Sequence, residues 1–201
     1  MVLPSDRAGG DVLHTLRAGT AAEHEAVERT LDLLDPELDR SRLTRVLTRM
    51  HGFWRAAEAG LEDWSTRYPG YAESVSWSAR RRAGLFAADL RTLGAPPADV
   101  EPVLGTVYDT DAALGRLYVL EGSTLGGAFI DRHLTGLPAL SGVRLRAFSP
   151  YGTETGAMWH AFRRATRARV AGGGDAEAML TAATGTFSAL TEWCRPAGGT
   201  T

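Results

Sequence analysis

Over residues 41–65 the apolar side chains Leu43, Val46, Leu47, Met50, Trp54, Ala57, Leu61 and Trp64 recur at three- and four-residue steps. That period belongs to a helix with one buried face; a strand would alternate. The same period joins Leu13, Leu16, Val27 and Leu31 within 12–31, and Met179, Leu180, Ala183, Phe187, Leu190 and Trp193 near the end. Asp39 or Ser41 is placed to cap the 41–65 helix. "SVSWSARRRAGLFAADLRTLG" reads as another helix, closed by Gly94 and followed by the breaker Pro96-Pro97. "TETGAMWHAFRRATRARV" keeps Met158, Trp159, Phe162 and Ala165 in step, and "GGGD" parts it from the last helix. No repeat or long linker divides the chain. The expected fold is all-α: a single-domain helical bundle over residues 11–194, with loose ends at 1–10 and 195–201.

One helical segment is interrupted where it should not be. In residues 110–135, Ala113, Leu114, Leu117 and Leu120 set a helical period that Phe129, Ile130 and Leu134 resume. Between them stand Gly122, Gly126 and Gly127, each costing about 0.8–1 kcal/mol relative to alanine inside a helix. Gly122 and Gly126 are four residues apart and share a face. Two explanations fit. Bare backbone lies against something flat that no side chain can obstruct, or the glycines serve close helix packing and a bend at Gly126-Gly127.

Composition narrows the classes of function. A net charge of -2 gives no excess of basic surface for nucleic acid or an anionic membrane. All 22 side chains counted as Lys or Arg are Arg. Cys194 is the only cysteine, so an intrachain disulfide and a cysteine metal site are both excluded, and the thiol is expected to be inert. "MVLPSDRAGGD" lacks the basic and apolar regions of a secretion signal, and no apolar run is long enough to span a bilayer. A soluble cytoplasmic protein is the expectation.

The five histidines are His14, His24, His51, His133 and His160. None follows a Glu by three residues, the spacing that a carboxylate-bridged di-iron helix requires, and H-E-x-x-H is absent. A di-iron oxidase is therefore disfavoured. His24 differs from the rest, because its steps to Leu16, Val27 and Leu31 aim it into an apolar stripe. One reading is a core histidine satisfied by a hydrogen bond. The other takes in Glu28, one turn on, whose carboxylate suits the outward ring N–H of a metal-ligating imidazole. It also takes in Arg17, about 10 Å back along the same face by helix rise. A single imidazole with a cation at that reach suits a flat iron macrocycle with acidic arms. Taken singly, Glu28 and Arg17 are ordinary surface charges.

These stretches together resemble the heme oxygenases, most closely the bacterial biliverdin-forming branch associated with bacteriophytochromes. "LRAGTAAEHEAVE" resembles the family's proximal helix, "LGRLYVLEGSTLGG" its distal helix, and "FSPYGTETGAMWHAF" a later segment. "MHGFWRAAEAGLEDW" and "RRRAGLFAADLRTLG" match more weakly. The resemblance runs in family order over residues 12–193. It implies heme sandwiched between the proximal and distal helices, with His24 as axial iron ligand and Glu28 hydrogen-bonded to it. It implies Gly122, Gly126 and Gly127 against heme and its ligand, Arg17 and Arg164 on the propionates, and His160 as a further basic residue. The implied reaction takes heme b as substrate and cofactor, with O₂ and an external electron donor, to biliverdin, CO and Fe²⁺. Ferredoxin or flavodoxin with a reductase, and a bilin-accepting phytochrome, are the implied partners. Where many eukaryotic members have Asp, this chain has Ser123, which leaves Ser123, Thr124 and backbone groups as routes for protons. The rivals are a non-catalytic heme carrier or sensor on the same fold, a di-iron oxidase, and a structural helical interaction protein.

Overall fold

The computed structural model describes residues 11–195; the expected loose ends at 1–10 and beyond 195 lie outside them. The described residues form nine α-helices and no strand. They are α1 (Val12–Gly19), α2 (Ala21–Leu31), α3 (Arg40–Arg67), α4 (Pro69–Ser74), α5 (Ala83–Thr92), α6 (Thr110–Leu125), α7 (Gly127–Gly136), α8 (Thr155–Ala171) and α9 (Ala176–Cys194). Single 3₁₀ turns occupy Trp77–Ala79, Pro138–Leu140 and Gly152–Glu154.

Aspartates start the main helices by accepting backbone N–H groups that have no partner within the first turn. Asp39 accepts from Arg42 N at 2.7 Å, Asp109 from Ala112 N at 2.8 Å, and Asp175 from Glu177 N at 2.9 Å. The apolar stripe of α3 is wholly enclosed, with Leu43, Leu47, Phe53, Ala57, Leu61 and Trp64 at 0% exposure. On the other side of the core runs α9, the broadest neighbour of α6. Helices α1, α2 and α3 also lean on α9, while α8 touches both α1 and α6. Helices α2 and α6 make no extensive contact with each other, so α9 is the floor they share.

Three helices predicted as continuous are broken, each for a visible reason. The 12–31 segment breaks at Thr20 (φ -117°, ψ 10°), whose hydroxyl donates back to Leu16 O at 2.8 Å. Leu180 of α9 sits against Gly19 so closely that a Cβ there would lie 2.7 Å from its Cδ1. The 74–94 segment is helical only from Ala83. Ahead of it, Arg80 and Arg82 turn inward and bury completely, which a regular surface helix does not permit, and Glu58 caps α5 instead by accepting from Arg82 N and Ala83 N at 2.6 and 2.9 Å. Gly94 ends α5 with φ +76°, as its position predicts. The 110–135 segment divides at Gly126 into α6 and α7.

Residues 95–109 form no helix and lie over α3 and α6. His51, buried on α3, accepts the Ala98 N–H on Nδ1 at 2.9 Å, and its burial pushes its pKa down. Arg67 donates to the carbonyls of Val107 and Tyr108.

Candidate active site

His24 leaves the apolar stripe at its edge. Its side chain is 55% exposed, with only the Phe187 ring of α9 edge-on at 5.8 Å. The reading of a satisfied core histidine is thereby excluded. Glu28 stands one turn on with its Oε2 3.6 Å from His24 Nδ1, too long for a hydrogen bond but within a rotamer change of one. Nε2 has no described hydrogen-bond partner.

Gly122 lies in the last turn of α6 and Gly126 at the junction with α7, and a Cβ built at either meets nothing within 4 Å. These two glycines border open space. Gly127 does not. Its Cα faces the backbone of Phe148, and a Cβ there would collide with the Phe148 carbonyl. The expectation that Gly127 lines a ligand is therefore corrected: it is buried, and its missing side chain admits the 147–149 segment. Close packing accounts for Gly127, while at Gly122 and Gly126 the backbone is bare over open space.

The basic residues are surface groups. Arg17, His160 and Arg164 are exposed, and no described carboxylate pairs with any of them. Arg17 stands near Tyr118 of α6, whose phenol lies beside Thr20 and whose pKa is raised by burial. Trp159 of α8 follows at 6.1 Å between ring centroids from Tyr118. Thus α1, α6 and α8 meet around Tyr118, with His160 and Arg164 on the exposed side of α8.

Behind the glycines is a buried polar layer that motif reading missed. Arg82 donates to Ala147 O at 3.1 Å, Leu120 O at 2.6 Å and Ser123 Oγ at 2.7 Å. Its guanidinium lies 5.0 Å from the Trp54 ring centroid, its Nε has no acceptor among described residues, and burial pulls its pKa down. Ser123 in turn donates to Leu120 O at 2.7 Å, and Thr124 to Glu121 O at 2.7 Å. Each hydroxyl has one proton, and both protons go to the helix's own carbonyls. One residue before Gly122, Glu121 is 1% exposed and pairs with Arg80 while accepting from Tyr151 OH at 2.8 Å. Burial, and then the Glu121 charge, raise the Tyr151 pKa. Arg80 also donates to Val75 O and to Met158 O. The signal available in the sequence was a charged residue on the buried side of an apolar helix, beside a glycine, together with an arginine run inside an apolar segment.

This fold is that of the heme oxygenases. The heme oxygenase of Neisseria meningitidis, solved with NO and with CO bound, superposes with a TM-score of 0.72 at 22% identity, over 94% of this chain and 95% of that one. The heme oxygenase from Leptospira interrogans gives 0.72 at 16% identity, over 92% and 98%. In sequence, the chain is 37% identical over 98 residues to a heme oxygenase of Xanthomonas campestris pv. campestris (strain 8004). That match spans 48% of this chain and 55% of the relative, about half its length. No family model matches the chain.

Proposed function

We propose that this protein is a heme oxygenase that converts heme b to biliverdin, CO and Fe²⁺ with O₂ and electrons from an external donor. The observation that carries the reading is a helix face left bare over open space at Gly122 and Gly126, with an exposed, unpartnered imidazole on α2 beside the same α9 floor. The residues present fit the group. His24 Nε2 would supply a nitrogen donor to the heme iron, and Glu28 stands where its carboxylate would accept the Nδ1–H and fix the tautomer. Arg17 and Arg164 are cations without carboxylate partners among the described residues, and His160 is an exposed imidazole one turn before Arg164, as propionate arms require. Heme, when bound, supplies the redox-active iron and the ring that is opened.

The protein's own residues hold and orient. Gly122 and Gly126 leave the distal side clear. Ser123 is clamped between Arg82 and Leu120 O, so its oxygen keeps an acceptor position toward water while its proton stays on the helix. Ser123 would thus orient a water as an acceptor rather than give up its own proton. Ferredoxin or flavodoxin with a reductase is the proposed donor, and Ser123 in place of Asp supports the branch linked to bilin-accepting phytochromes.

Among the described residues no three His, Cys, Asp or Glu side chains gather in a metal-binding group, so the donor set of a di-iron oxidase is not assembled there. No described helix is long and apolar enough to cross a membrane. The deciding experiment loads the purified protein with hemin under anaerobic conditions and then admits O₂ and reductant, with the pigment identified by chromatography. A bilin band with iron release is expected; unchanged heme would leave a carrier. His24→Ala is expected to abolish the axial-imidazole signature in the hemin spectrum, and an unaltered spectrum would remove His24 from the site.

A further inference from the structure

A second polar site lies away from His24, where residues 101–107 cross α3 and α6. Arg116 of α6 is 7% exposed and lines both cavities found there, of about 170 and 380 Å³. Of its five N–H protons, one is donated to a described acceptor, the carbonyl of Gly105. Nε is buried without a partner, and no described carboxylate pairs with the guanidinium. Room for the group is made by Gly60 of α3, where a Cβ would stand 2.6 Å from Nη1. A buried cation without a counter-charge is costly, so its retention calls for an anion.

The surroundings say which kind. Arg67 lines the larger cavity and, like Arg116, donates only to backbone carbonyls, with its guanidinium 5.7 Å from the Tyr68 ring centroid. Of the two carboxylates along that cavity, Glu101 is already paired with Arg55 at 3.2 Å, and only Asp63 is left to oppose the two arginines. The remaining wall includes Ala56 and Leu104, with Ala59 exposed at the rim and Val103 turned fully to solvent. At about 380 Å³ the space is within the range of small-molecule sites, which are mostly apolar with a few fixed polar groups. A bare phosphate would leave the apolar wall uncovered. A carboxylate on a small apolar body uses both parts, because guanidinium forks carboxylate with two parallel hydrogen bonds.

We propose that the cavity between α3 and residues 101–107 binds a small organic carboxylate, anchored on Arg116 with Arg67 at the mouth. Burial alone pulls the Arg116 pKa down to about 10, and a bound anion would restore it.

The test is calorimetric titration of the protein with sodium benzoate at constant ionic strength, with inorganic phosphate in parallel. One benzoate per chain is expected, weakened at least roughly tenfold by Arg116→Met and measurably by Arg67→Gln. Gly60→Ala, which pushes the guanidinium from its seat without altering charge, gives an independent variant if Arg116→Met fails to fold, and it too should weaken benzoate. Arg40→Gln, at the exposed start of α3, should leave the affinity unchanged. Absence of benzoate binding to the wild-type chain, full affinity in Arg116→Met or in folded Gly60→Ala, or loss in Arg40→Gln would overturn the assignment. Tighter binding of phosphate than of benzoate would overturn the choice of an organic carboxylate.

Discussion

Replacing Gly122 by alanine should make the protein more stable while leucine there makes it a poorer binder, and Gly127→Ala should do the reverse. The argument runs from what a Cβ meets. At Gly122 it meets nothing within 4 Å, in the last turn of α6, so the substitution carries the helix-propensity gain with no steric debit. That gain is about 0.8–1 kcal/mol, which for a chain of this length raises the unfolding midpoint by roughly 2–4 °C. At Gly127 the new Cβ runs into a backbone carbonyl, which cannot swing aside as a side-chain tip can. Overpacking of this kind costs about 1–3 kcal/mol, and a fixed backbone obstacle puts it at the upper end. The two alanine variants should therefore differ by roughly 2–4 kcal/mol in denaturant unfolding of the ligand-free protein.

Gly122→Leu completes the comparison. Leucine keeps nearly all of alanine's helix preference and extends into the open volume, so unfolding should stay at or above wild type while hemin or CO affinity falls at least roughly tenfold. Urea denaturation followed by circular dichroism gives the first quantity and a hemin titration the second. If Gly122→Ala destabilises as much as Gly127→Ala, the space beside Gly122 is not open. If Gly122→Leu binds hemin and CO as wild type does, the space is open but is not where the pigment lies.

Two further predictions concern the frame around α6. Glu121→Gln leaves the fully buried Arg80 without its counter-charge and should cost roughly 3–5 kcal/mol in urea unfolding; a loss below about 1 kcal/mol, the size of an exposed pair, would show that the pair is solvated. Asp111, at the start of α6, takes two hydrogen bonds from Arg169 at 2.9 and 2.8 Å. Burial, the largest single influence, raises its pKa, but the Arg169 bonds, a backbone hydrogen bond at Asp175 and the Arg169 charge together hold the carboxyl below its ordinary 3.8. The unfolded chain therefore binds this proton more readily, and the contribution is complete above the unfolded pKa and is lost as pH falls through the folded one. Asp111→Asn should lower stability by about 1.5–3 kcal/mol at pH 7, with the difference from wild type shrinking below pH 4. A difference that is flat from pH 7 to pH 3 would refute the ion pair.

Helical periodicity carried the fold, because each stripe had to bury against α9 or α3 and those faces are long. It failed where tertiary contacts overrule a local pattern. Arg80 and Arg82 lie in what reads as a helix, but each serves carbonyls or carboxylates about 40 residues away, and the backbone gives way to reach them. The break at Thr20 was hidden for a like reason, since Leu180 of α9 stands against Gly19 where no local spacing records it. In the candidate site, the pairing of His24 with Glu28 on one side of α2 was legible because spacing on one helix fixes which residues stand together. Gly127 was misassigned because spacing cannot say whether a bare Cα faces a void or a neighbouring carbonyl.

Helix α6 uses glycine in two opposed ways, and its polar layer reconciles them. At Gly115 a Cβ would lie 2.8 Å from the Ala182 Cβ, so that glycine brings α6 hard against α9. Two turns later Gly122 does the reverse and keeps a gap beside the helix. Apolar packing alone would favour closing that gap, since a void forfeits dispersion contacts. What resists closure flanks it directly. Glu121 is tied to Arg80 and Tyr151, Ser123 to Arg82, and these arginines are tied in turn to carbonyls of three other segments, at Val75, Ala147 and Met158. Moving α6 into the gap would break several charge-assisted hydrogen bonds in a buried setting, each worth about 1.5–3 kcal/mol. The helix face can stay bare because its other faces are held.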